Sequence, residues 1–159
     1  LAMVGAPVFG WAKPVPVDAA RLNNPRFGMM AVAAGPATNF LLALTGAAML
    51  GVVSTTMAQP SPLVTQGLFT FILINIFIGL FNLLPIPPFD GSHIVEGALP
   101  RRWARGYEKL RPYGMLLFFG LIALTWALPQ FDVIGRLIGP PVDWMLDQYL
   151  GFAAMFARG

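Results

Sequence analysis

The sequence contains no cysteine and a single histidine, His93. No disulfide and no thiolate metal site can form from it. Nor can it build a complete zinc centre from several nitrogen or sulfur ligands of its own. Charge is scarce too: Asp, Glu, Lys and Arg make up 11% of the residues, against roughly 25% in an ordinary soluble domain. That scarcity excludes a disordered tail and a typical water-soluble enzyme. The ten basic residues are spread along an apolar chain rather than gathered in a patch, so no nucleic-acid partner is expected.

What the chain has in abundance is apolar surface. Of its 159 residues 57% are hydrophobic, and the mean hydropathy is +0.69. From Phe27 to Phe89 there is no charged side chain at all. A water-soluble core would expose such a run somewhere, so the lipid bilayer is the natural surrounding partner. The fold class that follows is an all-α integral membrane protein, residues 1–159 forming one membrane domain.

Residues 1–28 read as an extended, interfacial segment. Pro7, Pro14, Pro16 and Pro25 interrupt it, and Trp11 suits the headgroup level. Three transmembrane helices are expected, at 29–53, 63–84 and 113–128. The first is rich in small residues around Gly35 and is interrupted by Pro36. The second stops at Pro85-Ile86-Pro87-Pro88, which cannot continue a regular helix. Residues 90–111 form a basic loop holding Arg101, Arg102, Arg105, Lys109 and Arg111. At 141–157, Val142, Met145, Leu146, Tyr149, Ala153 and Phe156 recur at helical spacing opposite Asp143 and Asp147. This predicts an amphipathic helix on the membrane surface. Lys and Arg sit in the N-terminal segment and the 90–111 loop and are absent from the 54–62 connection. The positive-inside rule then places the end of the second span, with Asp90, near the cytoplasmic face.

The chemistry concentrates in Asn82-Leu83-Leu84-Pro85-Ile86-Pro87-Pro88-Phe89-Asp90-Gly91-Ser92-His93. A carboxylate at the end of an apolar helix, beside broken backbone, needs a partner, and a metal ion would neutralise and orient it. The structural alternative is that Asp90 caps the next short helix, since Asp-Gly after Pro-Pro-Phe is ordinary turn composition. Asn82 admits two readings as well, because an asparagine there also serves as interhelical glue. His93, three residues after Asp90, is compatible with ligation but reads more simply as a structural residue. Arg101 and Arg102 read as topology anchors or lipid-headgroup contacts.

The pattern Asn-x-x-Pro-x-Pro-x-Phe-Asp-Gly over residues 82–91 resembles the second signature of the site-2 protease family, the membrane-embedded zinc metallopeptidases of peptidase family M50. The position before the aspartate is usually Leu in that family and is Phe89 here. Gly35-Pro36-Ala37-Thr38-Asn39 resembles the family's Gly-Pro-x-x-Asn helix. Residues 9–17 are similar to the segment that precedes this helix in compact bacterial members without a PDZ domain. The resemblance implies an intramembrane zinc metalloprotease, a membrane-bound enzyme of the bacterial inner membrane that cleaves in or near the transmembrane helix of a membrane-protein substrate. Asp90 matches the family's metal-binding aspartate. Asn82 matches the signature asparagine, which would bond substrate backbone or the oxyanion. Val15 and Val17 would pair with an unwound substrate strand.

The same resemblance calls for two histidines and a glutamate of a His-Glu-x-x-His helix. The acidic residues here are Asp18, Asp90, Glu96, Glu108, Asp132, Asp143 and Asp147, and none is framed by histidines. Together with a start at Leu1, this leads to the expectation that the chain is the portion C-terminal to the His-Glu-x-x-His helix, inactive alone, with the remaining zinc ligands upstream. The competing readings are a catalytically inactive membrane scaffold of the same fold and a small transporter fragment with its ion site at the broken helix.

Overall fold

A computed structural model of the chain describes residues 25–128, 130 and 132–156. The described residues form helices and connections with no strand. The expected extended segment, including Val15 and Val17, lies outside the described residues.

Helix α1 spans Pro25–Thr56 and α2 spans Pro62–Asn82. Met57 to Ser61 turn the chain back, so the two helices form an antiparallel hairpin, with Phe40 against Gly79 and Gly46 against Phe71 and Ile72. The glycines set the spacing. A Cβ on Gly79 would lie 2.6 Å from the Phe40 ring, and one on Gly46 would lie 2.9 Å from Phe71. Small residues opposite large ones let helices approach closely in lipid, where no hydrophobic force draws them together. Ala43, Ala47, Ile72 and Ile76 are fully buried along this seam. Pro36 is buried as well and does not break α1.

Beyond α2 lie α3 (Asp90–Ala98), α4 (Arg101–Glu108), a 3-10 turn (Arg111–Tyr113), α5 (Gly114–Ala127) and α6 (Val133–Phe156). Among the described residues three stretches are long and apolar enough to cross a membrane: Val32–Thr56, Pro62–Asn82 and Arg102–Ala127, the last carrying its apolar residues in α5. The chain is accordingly an integral membrane protein. Leu63, Leu116, Phe119 and Trp126 are largely exposed on these stretches, an arrangement suited to lipid and not to water.

Helix α6 begins eight residues earlier than the apolar periodicity predicts. Asp132 caps it: the Gly135 N–H donates to Asp132 Oδ1 at 2.8 Å, satisfying one of the free amides of the first turn. Helix α6 then runs through Pro140 and Pro141. Each proline removes a ladder hydrogen bond, and tertiary packing holds the helix across the pair, with Ile138 and Val142 buried on either side. The predicted stripe faces protein rather than a membrane surface. Val142 and Ala153 join the core with Met145, Leu146, Tyr149 and Phe152 against it, and Ala153 and Phe156 close over Gly51 of α1.

Candidate functional site

The loop between α2 and α3 is held from four directions, which fixes where Asp90 stands. Gly91 abuts the end of α2: a Cβ there would collide with the carbonyl oxygens of Leu83 and Leu84. Only glycine allows that approach, which explains the residue after the aspartate. Tyr107 of α4 donates its hydroxyl to the Pro85 carbonyl at 2.5 Å. Gly114, at the start of α5, packs onto Pro87, whose backbone and side chain lie 2.7 Å from where a Cβ would be. Phe89 sits between Phe81 and Phe118, with ring centroids 4.6 and 5.1 Å away in edge-on geometry. Such pairs contribute roughly 0.5–1.5 kcal/mol each beyond their burial. The aromatic at position 89 therefore ties α2, the loop and α5 together.

Asp90 opens α3 without capping it. Phe89 is the cap residue, and no side-chain oxygen accepts from the first turn of α3. The Ser92 hydroxyl instead donates to the Phe89 carbonyl at 2.7 Å. The half-buried Asp90 carboxylate points at α1, its Oδ2 3.0 Å from where a Cβ of Gly35 would be. Among the described residues nothing donates a hydrogen bond to Asp90 and no cation pairs with it. The two sequence signatures thus meet in space: the glycine of one makes room for the aspartate of the other. Next to Gly35 on α1, Ala34, Ala37 and Thr38 are exposed, so the carboxylate borders an open flank. The Asn39 amide reaches back to the Gly35 carbonyl at 3.5 Å.

Asn82 is the last residue of α2, directly before Leu83, and is half-buried. Its side chain makes no hydrogen bond to a described residue.

His93 takes a different part. Arg111 Nη2 bridges His93 Nδ1 at 2.9 Å and Glu96 Oε2 at 2.5 Å. Guanidinium is a donor only, so Nδ1 accepts, and in the neutral ring Nε2 carries the proton. A ring in that state offers no lone pair to a metal. The structural reading of His93 fits this arrangement: it locks α3 to the 3-10 turn. Arg111, which does this, belongs to the charged loop that the sequence marked only for topology.

No three His, Cys, Asp or Glu side chains come together among the described residues in a way that holds a metal. Asp90 fits zinc as one donor of a set: an unpartnered carboxylate, half-buried and fixed by its loop, beside a glycine. A three-ligand zinc set would need two donors beyond those the described residues bring together.

Comparison with known proteins bears on the same region. The sequence model of peptidase family M50 matches residues 49–125, a range that includes Asn82, Asp90 and α5. Three relatives share the name "Putative zinc metalloprotease". YwhC of Bacillus subtilis is 34% identical over 118 residues, covering 71% of this chain and 54% of the relative. NMA0084 of Neisseria meningitidis is 33% identical over 85 residues, covering 51% of this chain and 19% of the relative. Rip3 of Mycobacterium tuberculosis is 32% identical over 125 residues, covering 74% of this chain and 29% of the relative. The chain thus spans about half the length of the Bacillus protein and less of the other two. No solved structure matches the chain.

Proposed function

The chain belongs to peptidase family M50, and on that premise we propose that it is the C-terminal portion of an intramembrane zinc metalloprotease. The enzyme hydrolyses peptide bonds in or near transmembrane segments of membrane-protein substrates. The observation that carries this reading is the Asp90 carboxylate over Gly35, fixed by its loop and without a partner among the described residues.

In this reading Asp90 contributes one oxygen ligand, and two histidines from a helix upstream of Leu1 complete the set. Zinc, when bound, polarises the scissile carbonyl and lowers the pKa of a bound water toward about 7. Leu83, Pro85, Pro87 and Phe89, each in contact with another element, keep the Asp90 carboxylate in place for a cation to meet. Such preorganisation is what a metal ligand needs. Asn82, whose amide bonds to no described residue at the same end of α2, donates to the substrate backbone or to the developing oxyanion. Val15 and Val17 pair with the unwound substrate strand. The protein resides in the bacterial inner membrane with this end on the cytoplasmic side, as its Lys and Arg distribution favours.

The test is cleavage of a transmembrane model substrate by the protein made from its whole reading frame and reconstituted in vesicles. Wild type is expected to cleave, with activity lost on chelation and restored by zinc, and Asp90→Asn is expected to be inactive. If the wild-type protein neither cleaves nor retains zinc, the inactive scaffold of the same fold replaces this reading.

A further inference from the structure

Helix α4 plays no part in the proteolytic reading beyond the bond from Tyr107. Its basic residues are nevertheless ordered. Arg102, Arg105 and Lys109 stand at i, i+3 and i+7 and line one hollow with Gly106, about 360 Å³ in volume. Residues so spaced share a helix face. Gly106 lies between them, and a Cβ there would meet no atom within 4 Å, so open space stands above the backbone among the three cations. The opposite face is committed, because Tyr107 bonds to Pro85. That bond turns the basic face away from the bundle.

The surroundings indicate what fills the hollow. Trp103 is 67% exposed and Tyr113 is 59% exposed, side chains with an apolar body and a polar tip that suit the headgroup level of a bilayer. The chain then enters α5, whose Leu116 and Phe119 are 71% and 57% exposed. A cationic hollow thus opens at the end of an apolar helix whose Leu116 and Phe119 flank is exposed. We propose that Arg102, Arg105 and Lys109 form a binding site for the headgroup of an anionic phospholipid, with its phosphate over Gly106 and its acyl chains along α5. Cations beside a span attract anionic lipid, and an arginine fork suits phosphate oxygens. A free phosphate ion matches the charge but leaves the α5 flank uncovered. Lipid held here braces α4, and through Tyr107 it braces the Pro85 loop. This inference does not depend on the zinc reading.

The experiment uses the whole chain purified in detergent and offered equal amounts of phosphatidylglycerol and phosphatidylcholine, with retained lipid counted by native mass spectrometry. Wild type is expected to retain phosphatidylglycerol preferentially. Replacing one cation with glutamine is expected to lower that preference roughly fivefold, and the triple variant Arg102→Gln/Arg105→Gln/Lys109→Gln about a hundredfold. The charge-keeping variant Arg102→Lys/Arg105→Lys is expected to keep most of it. Should the triple variant lose helix content by circular dichroism, the three single variants decide the matter. An unchanged preference in the glutamine variants overturns the site. Displacement of phosphatidylglycerol by excess inorganic phosphate overturns its assignment to a lipid.

Discussion

Two aspartates stand at the starts of two helices and are used in opposite ways. Asp132 precedes α6 and caps it through the Gly135 amide. Asp90 is the first residue of α3, accepts nothing from that helix, and faces Gly35 of α1. A glycine one residue after Asp90 and three residues after Asp132 makes each geometry possible by its missing side chain. Gly135 lets the Asp132 carboxylate close on its own helix, and Gly91 lets α3 dock on the Leu83 carbonyl. The difference separates a carboxylate that closes its own helix from one that bonds to no described residue. A cap needs only an oxygen near an amide. An unpartnered carboxylate beside membrane spans costs free energy unless an ion meets it.

That contrast can be broken at graded strength. The largest effect is expected from Gly91→Ala, which forces a Cβ into backbone that has no flexible end to yield. It should lower stability by about 3 kcal/mol or more and reduce zinc retention with it, as measured by thermal unfolding in detergent and by metal analysis. A variant as stable as wild type would mean that the loop is not docked as described. Next comes Gly35→Val, which places methyl groups against the Asp90 carboxylate. Zinc should bind roughly tenfold more weakly, the size seen for displaced groups around a metal ligand, while the unfolding temperature changes little. Metal titration of the full-length protein decides it, and unchanged affinity would separate Gly35 from the site. Asp132→Ala reverses the signature: about 1 kcal/mol of stability lost with the cap and zinc unaffected. The smallest effect is that of Asp132→Asn, a few tenths of a kcal/mol at most, because asparagine caps as well as aspartate. A large loss there would show that the charge of Asp132, and not its capping oxygen, matters.

The spans were legible because hydropathy alone reports them. The uncharged run from Phe27 to Phe89 and the Pro85–Pro88 break place α1 and α2 within a few residues of their observed limits. The start of α6 was legible in principle. Asp132 before an apolar-periodic run is an ordinary helix-start signal, but Pro140-Pro141 reads as a boundary when local preference is weighed without packing. The partner of the α6 stripe was not legible, since an apolar face looks the same whether lipid or Gly51 of α1 covers it. At the site, the Asn82–Asp90 pattern singled out the carboxylate, and the resemblance supplied its chemistry. The meeting of Asp90 with Gly35 is a long-range contact that no local signal encodes. The role of Phe89 emerges only from its rings against Phe81 and Phe118. The bridge from Arg111 to His93 and Glu96 likewise joins residues whose spacing carries no pattern.

The most direct test of the account is zinc content, set side by side in wild type, Asp90→Asn and Asp132→Asn, each made from the whole reading frame. The account predicts about one zinc per chain in wild type and in Asp132→Asn. It predicts at least about 100-fold weaker retention in Asp90→Asn, a larger loss than displacing an outer group causes, with the unfolding temperature of the zinc-free proteins the same. An Asp90→Asn protein that keeps its zinc as tightly as wild type would contradict it.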